Sequence, residues 1–335
     1  MNPPQKPPSS PPDKPKARQQ EIDADTAGQR LDNYLLGALK GVPRSHVYRL
    51  IRSGQVRVNS GRVNPKHRLQ AGDMVRVPPV VSKPVTPPSA APDTLAWLED
   101  RVIFEDSRIL VIDKPSGLAV HGGSSVSLGC IEALRVLRPT AKDLELAHRL
   151  DRGTSGVLLI AKRRSALRVL HELLREGRVD KQYLALVRGR WPEATIEVDA
   201  PLLTRRVSGE ARVKVDPSGK PAQSTFRVLE RYGKTASLLE VAIATGRTHQ
   251  IRVHANHVGH PVAGDDRYGD DDFNTYLKTF GLQRIFLHAH SVAFEWPETG
   301  EPFSASVPLP QDLRAALTAL EVKNQTAPGD RRRAP

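Results

Sequence analysis

The sequence predicts an α+β fold in two parts, and three observations carry that expectation. Strand-like apolar runs outnumber helical ones toward the C-terminus and do not alternate strictly with them, which favours a central mixed or antiparallel sheet over a doubly wound one. A Pro-rich stretch over residues 80–97, opening VVSKPVTPPSAA, reads as a linker between that region and a small basic module. The 335 residues, 39% of them hydrophobic, supply one sizeable core and one lesser one.

Residues 1–20 are rich in Pro, Ser, Lys and Gln without apolar periodicity, so a disordered basic tail is expected. In residues 21–79, Leu31, Leu35 and Leu39 recur at helical spacing, and Val47, Leu50 and Ile51 repeat the pattern after Pro43. Two short helices follow from this. Gly54 stops the second, Val56 and Val58 then alternate with polar neighbours as in a half-buried strand, and Asn59, Ser60 and Gly61 read as a turn.

Positive charge concentrates in this module. The chain carries 50 Lys and Arg against 37 Asp and Glu, a net charge of +13, and between Arg30 and Arg76 it has 10 Lys and Arg with only Asp32 and Asp73 to oppose them. A solvated helix face usually mixes both signs, so one-signed charge of this density points to a polyanion partner. The module's aromatic rings are Tyr34 and Tyr48, so contact through phosphate and shape is expected rather than base stacking.

Residues 98–322 read as the larger domain. Strands are expected at Ile109–Ile112, Val157–Ala161, Tyr183–Val187, Phe226–Leu229, Leu238–Ile243 and Ile285–Phe294. Helices are expected where Leu167, Leu170 and Leu174, then Ile251, Ala255 and Val258, and last Leu313, Leu317 and Leu320 share a face. Residues 323–335, ending RRRAP, are expected to be a second disordered basic tail. Cys130 is the single cysteine, which excludes a disulfide framework or a thiolate metal site within one chain and fits a reducing cytoplasm. The N-terminus lacks the apolar core of a secretory signal and no stretch approaches bilayer-spanning length, so a soluble, unexported protein is expected.

The segment HRLDRGTSG, from His148 to Gly156, sets Asp151 between Arg149 and Arg152 and follows it with four small residues before an apolar run. Gly153 and Gly156 permit backbone angles that a β-carbon forbids, and Thr154 and Ser155 can bond their own main chain, so a built turn is expected. A carboxylate so mounted is held in a direction. Three further segments have the same look: DKPSGLAVHGG from Asp113, KQYLALVRG from Lys181, and TGRTHQIRVHANHVGHPVAGDDRYG from Thr245. A helix in the last would bring Thr248, Arg252 and Ala255 onto one face, from which a guanidinium can reach a partner on another element. Taken singly, Asp151 reads as a turn former, Tyr183 as a core ring and Arg252 as a surface helix residue. His249, His254, His257 and His260 crowd one region, but their spacing lacks the HExxH pattern, and no metal site is expected. Lys114 and His121 are candidates for the pocket lining.

The stretch from Gln29 to Pro78 resembles an S4 domain, whose helical pair presents basic residues to RNA; the matching positions include Arg44, Arg49, Arg52, Arg57 and Arg62. HRLDRGTSG, KQYLALVRG and GRTHQIRVH, in that order behind such a module, resemble the RluA family of pseudouridine synthases, and within it the type that modifies large-subunit ribosomal RNA. The resemblance covers Glu21 to Leu320. It implies an isomerase that breaks the bond from uracil N1 to the ribose, rotates the base and joins C5 to the sugar, with no cofactor. It makes Asp151 the catalytic carboxylate, Tyr183 the ring that stacks on the target base, Arg252 the ion-pair partner of the aspartate, and Arg149 the residue that fills the space left by the flipped nucleotide. Large-subunit ribosomal RNA, modified at three separated sites, is the implied partner, and a monomer the expected state.

Each role has a physical reason. A carboxylate can attack covalently or accept a proton, and attack at C6, attack at C1′ and removal of a sugar proton to give a glycal all remain compatible with residue identity. A guanidinium offers a fork of donors that fixes a carboxylate's direction. Tyrosine offers a flat face with a polar tip, and flipping exposes a glycosidic bond that a stacked helix hides. A non-catalytic RNA-binding or ribosome-assembly factor on the same fold is the alternative, and the complete set Asp151, Tyr183 and Arg252 argues against it. Hydrolysis by Asp151 is disfavoured for want of a second positioned carboxylate or a metal set.

Overall fold

The computed structural model describes residues 17–39, 41–80, 92–122, 128–141, 143–207 and 210–326, and the chain divides into two units between Ser89 and Ala90. The first unit holds β1 (Arg18–Glu21), α1 (Leu31–Ala38), α2 (Arg44–Arg52), β2 (Arg57–Val58) and β3 (Met74–Val77). Leu31, Leu35, Val47, Leu50 and Ile51 pack on Val56, Val75 and Val77, so the helical stripe read from the leucines is the buried one. Asn59 and Ser60 both take left-handed backbone, φ 48° and 64°, which makes the tight reversal that bridges Val58 to Gly61 directly after β2. The strands lie antiparallel in the order β1-β3-β2.

The expected tail of residues 1–20 ends earlier than its composition suggests. Arg18–Glu21 pairs with Met74–Val77, and its side chains are exposed throughout. Backbone pairing orders it, with one side-chain bond from Arg18 to the Ala38 carbonyl at 3.1 Å, and a strand that buries no side chain leaves no apolar pattern to read. Residues 1–16, 81–91 and 327–335, which hold the rest of the expected tails and most of the linker, lie outside the described residues.

The second unit begins inside the expected linker 80–97. Helix α3 (Pro92–Leu95) runs into a 3₁₀ segment, Ala96–Arg101, and Leu95 and Leu98 are buried in the main core. There follow β4 (Val102–Glu105), β5 (Ile109–Lys114), α4 (Cys130–Leu137), β6 (Glu145–Leu146), β7 (Ser155–Ala161), α5 (Arg164–Glu176) and β8 (Asp180–Arg188). Next come β9 (Thr195–Asp199), the hairpin β10 (Leu202–Val207) and β11 (Glu210–Val215), β12 (Gln223–Tyr232), β13 (Ala236–Ile243) and α6 (Gln250–His257). The chain closes with α7 (Asp271–Lys278), β14 (Leu287–Glu295), β15 (Pro302–Ser306) and α8 (Gln311–Thr326). Helix α8 runs past Val322 into the expected second tail, because Leu313, Ala316 and Leu320 anchor it and polar residues continue the helix from there.

A ten-stranded sheet carries the order β4-β5-β7-β14-β8-β13-β12-β9, with β15 beside β14 and β6 beside β7. Every pairing is antiparallel except β7 with β14, so the sheet is mixed. The six expected strands are all present, β14 beginning at Leu287 rather than Ile285. Both faces are covered. Ile109, Val111, Val157 and Leu159 face the α5 side, while Leu110, Ile112, Leu158 and Ile160 face the core that includes Ile131 and Ile251, which is why these strands read as unbroken apolar runs. The β10–β11 hairpin forms a separate two-stranded sheet.

Candidate active site

The segment HRLDRGTSG descends into β7, so Asp151 sits four residues ahead of a strand fixed by neighbours on both sides. The Thr154 N–H donates to the Asp151 carbonyl at 3.1 Å, and the Gly117 N–H donates to that of Arg152 at 2.8 Å. Gly156 has φ 112°, and a β-carbon there would collide with the Ala289 carbonyl of β14. Gly153 is required for room rather than for backbone angle: its φ is not positive, and a β-carbon would stand 2.9 Å from Ile285 Cγ2. The Ser155 hydroxyl does not turn to its own main chain as expected. It lies 3.0 Å from His288 Nδ1 and takes a bond from Arg284 at 3.2 Å.

Lys114 is fully buried and does not line the cleft. Its ammonium donates to the carbonyls of Pro115 (2.9 Å), Leu118 (2.8 Å) and Arg152 (3.3 Å), and burial pulls its pKa down to about 8. It thus ties the DKPSG loop to the turn that carries Asp151. His121 is exposed and likewise outside the cleft lining.

The cleft above the turn gathers Arg149, Asp151, Tyr183, His249 and Arg252, over an apolar floor that includes Ile243 and Leu287. Tyr183 comes from β8, opposite Val241 of β13 and Ala289 of β14, and is nearly buried. Burial, helped by the Asp151 charge, pushes its phenol above the ordinary range and keeps it neutral. Arg149 is exposed on the rim. The structure therefore brings together all four residues expected in the catalytic site.

Helix α6 supplies Arg252, but it begins at Gln250, after His249 in left-handed conformation. Thr248 consequently lies in the preceding turn and not on the expected helix face with Arg252 and Ala255. Arg252 is buried, and its fork does not go to Asp151. Nε and Nη2 each donate to Asp265 at 2.7 Å, and Nη1 alone reaches Asp151 Oδ2, at 3.3 Å. Burial opposes the guanidinium charge, and the hydrogen bonds and charge of Asp265, with those of Asp151, more than offset it. Burial likewise pushes the Asp265 carboxyl up, and Arg252 with the N–H groups of Tyr268 and Arg267 holds it below the ordinary carboxylate range.

Two of the remaining histidines of this segment are in structural use, and His257 is exposed. His254 is fully buried between Ser224 Oγ and the Ala200 carbonyl, each at 3.0 Å, and His260 Nδ1 lies 2.7 Å from the Arg188 carbonyl. Among the described residues no group of three His, Cys, Asp or Glu side chains is placed to hold a metal ion. Among them also, no helix is long and apolar enough to cross a membrane.

In the first unit Arg44, Arg49, Arg52, Arg57 and Arg62 are all exposed. Arg49 and Arg52 border an open groove with Pro43 and His46. Arg44 lies over the Tyr48 ring at 5.7 Å, and Tyr48 donates to the fully buried Asp32 at 2.6 Å. Arg57 donates to the carbonyls of Gly54 (3.3 Å) and Ser60 (3.1 Å), so it also braces the turn beside it.

Residues 108–257 match the family described as RNA pseudouridylate synthase, and residues 29–75 match the S4 domain. The chain is 54% identical over 302 residues to the ribosomal large subunit pseudouridine synthase C of Pasteurella multocida, covering 89% of this chain and 92% of that one. The chain belongs to the pseudouridine synthase family. The protein of the same description from Escherichia coli (strain K12) is 51% identical over 311 residues, 91% of this chain and 97% of that one. Among solved structures, Human RNA Pseudouridylate Synthase Domain Containing 4 superposes with a TM-score of 0.58 at 26% identity, covering 68% of this chain and 96% of that one. Human RNA Pseudouridylate Synthase Domain Containing 1 gives 0.53 at 27% identity with the same coverage. The α+β fold and pseudouridine synthase activity implied by the motifs are those of the family, and the basic module is its S4 domain.

Sequence reasoning missed Asp265 and Tyr268, which hold the site from behind. Their signal was present in DDRYG: a buried guanidinium demands a carboxylate able to take two donors, and Asp265 lies 13 residues beyond Arg252 in the same segment.

Proposed function

We propose that this chain converts uridines of large-subunit ribosomal RNA to pseudouridine at three separated sites, with Asp151 as the carboxylate that acts on a flipped-out uridine. The observation that carries this reading is the convergence of Asp151, Tyr183 and Arg252 on one cleft, with Asp151 Oδ2 3.3 Å from the guanidinium. Tyr183 offers its face to the uracil while the base is detached and turned, and the apolar floor keeps the ring from water. Arg149, on the rim, fills the place the nucleotide leaves, repaying part of the few kcal/mol that flipping costs. Arg252 holds the carboxylate in direction, itself held by Asp265.

The S4 unit contributes phosphate contact through Arg44, Arg49, Arg52, Arg57 and Arg62, without reading bases. The reaction conserves atoms and oxidation state: the N1–C1′ bond breaks, a C5–C1′ bond forms, and the proton on C5 is given up as N1 gains one. It therefore proceeds without a cofactor. The enzyme works as a monomer in the cytoplasm. Incubation with unmodified large-subunit RNA fragments, followed by mapping of pseudouridine, tests the reading: modified positions are expected for the wild type and none for Asp151→Asn. No product from the wild type, or full product from Asp151→Asn, overturns it.

A further inference from the structure

His249 lines the cleft and has no part in the mechanism above. Among the described residues of the second unit it is the one non-glycine residue with left-handed backbone, φ 55° and ψ 22°, a conformation uncommon for any residue with a β-carbon. Its ring packs edge-on against Tyr268, with centroids 5.4 Å apart, and Nδ1 lies 2.9 Å from the Tyr268 hydroxyl. That hydroxyl already accepts the Val213 N–H at 3.0 Å. A phenol has one proton to give, and Nδ1 is the acceptor within reach. With the phenol donating to Nδ1, a neutral ring carries its proton on Nε2.

Nε2 stands 3.7 Å from Asp151 Oδ2, the same oxygen that takes Arg252 Nη1. Among the described residues no hydrogen bond reaches Oδ1. Both nitrogens thus lie on the side of one carboxylate oxygen, Arg252 Nη1 at hydrogen-bond distance and His249 Nε2 just beyond it. Catalytic contacts of this kind are often long without substrate and shorten in the complex.

We propose that His249 is a positioning residue: Tyr268 fixes its proton on Nε2, and that N–H, with Arg252, pins Asp151 Oδ2 so that Oδ1 faces the uridine. The groups around the ring support the neutral form. Burial weighs most against the charge; Asp151 and Asp265 favour it, Arg252 and Arg267 oppose it, and the balance holds the imidazole below its ordinary range. The inference rests on the assignment of Asp151 under the proposed function.

Two measurements on the full-length protein decide it. Long-range ¹H–¹⁵N correlation of histidine-labelled protein near neutral pH, with His249 assigned by its absence in His249→Phe or, if that variant does not fold, in His249→Asn, is expected to show the Nε2-protonated tautomer. In single-turnover and steady-state assays on a large-subunit RNA fragment, His249→Phe is expected to lower kcat about 10- to 100-fold with KM unchanged. His249→Gln, whose amide reaches the Nε2 position, recovers part of that loss. Tyr268→Phe keeps the ring packing and removes the lock, so kcat falls there too while the near-ultraviolet circular dichroism is retained. A Nδ1-protonated ring in the wild type, or a folded His249→Phe or Tyr268→Phe with wild-type kcat, overturns the proposal. Asp151→Asn is run beside them: activity in that variant removes the reading of Asp151 itself, whereas an inactive Asp151→Asn beside a fully active His249→Phe removes only the role of His249.

Discussion

Asp265 takes both prongs of the Arg252 fork at 2.7 Å, and Asp151 takes the single remaining nitrogen at 3.3 Å. In the proposed mechanism the site is thereby divided between a carboxylate that holds, Asp265, and a carboxylate held lightly enough to react, Asp151. A tight bidentate pair with Asp151 would occupy both of its oxygens. Anchoring the guanidinium elsewhere supplies its charge and direction while leaving an oxygen of Asp151 for the uridine proposed to bind there.

Asp265 is fully buried, so its truncation leaves a buried guanidinium without its main partner. Asp265→Ala is expected to lower stability by about 3–5 kcal/mol. Asp265→Asn, which keeps one acceptor, is expected to cost less and still to lower kcat. Urea unfolding and turnover on an RNA fragment measure the two effects; a variant as stable and as fast as the wild type would contradict the division of roles.

Tyr183 is proposed to act through its face, and its phenol is kept neutral by burial and the Asp151 charge. Tyr183→Phe should therefore stay within about 10-fold of wild-type kcat, and Tyr183→Leu, which loses the flat ring, should fall well below it, since base stacking on an aromatic is worth about 1–3 kcal/mol. Equal losses in the two variants would move the role from the ring to the hydroxyl.

The sequence was legible where burial is two-sided or periodic. The strand Ile109–Lys114 and the strand Ser155–Ala161 are covered on both faces and read as continuous apolar runs, and the leucine stripe of Leu31 and Leu35 faces a core as expected. Arg18–Glu21 was not legible, because it is ordered by backbone bonds to β3 with every side chain in solvent. In the site, Asp151, Tyr183 and Arg252 stood out through their motifs, whereas the partner of Arg252 did not. Periodicity places a residue on a face but says nothing of which carboxylate a loop returns to it. The turn residues showed the same limit: the small residues after Asp151 announced a turn, yet Gly153 is there for the Ile285 methyl and Ser155 for His288.

Arg49 and Arg52 border an open groove on the S4 unit, while Arg57 also bonds the carbonyls of Gly54 and Ser60. Arg49→Gln and Arg52→Gln are expected to weaken RNA binding across sequences and each to reduce the slope of log affinity against log salt by about 1. Arg57→Gln is expected to lower the thermal stability of the unit as well. Removal of residues up to Ala91 should flatten the slope further, and an unchanged slope would place the phosphate contacts elsewhere.

His148 opens the catalytic motif, and its Nε2 accepts the Leu159 N–H of β7 at 3.0 Å. Burial, aided by the positive charge of Lys181, lowers its pKa to about 4 from an ordinary value of 6.5. The unfolded chain therefore takes up a proton as pH falls through about 6.5, while the folded chain resists it until about 4, so the unfolded state binds more protons across that window. Stability attached to His148 is complete above the ordinary value, declines as pH falls from about 6.5 to about 4, and amounts to at most about 3 kcal/mol. His148→Gln, which can still accept the Leu159 N–H and does not titrate, should cost a constant amount above that window and a shrinking amount within it. Urea unfolding of both proteins at several pH values between about 7 and 4.5 measures the difference; parallel curves throughout would mean that the imidazole takes up its proton at the same pH in the folded and unfolded chains.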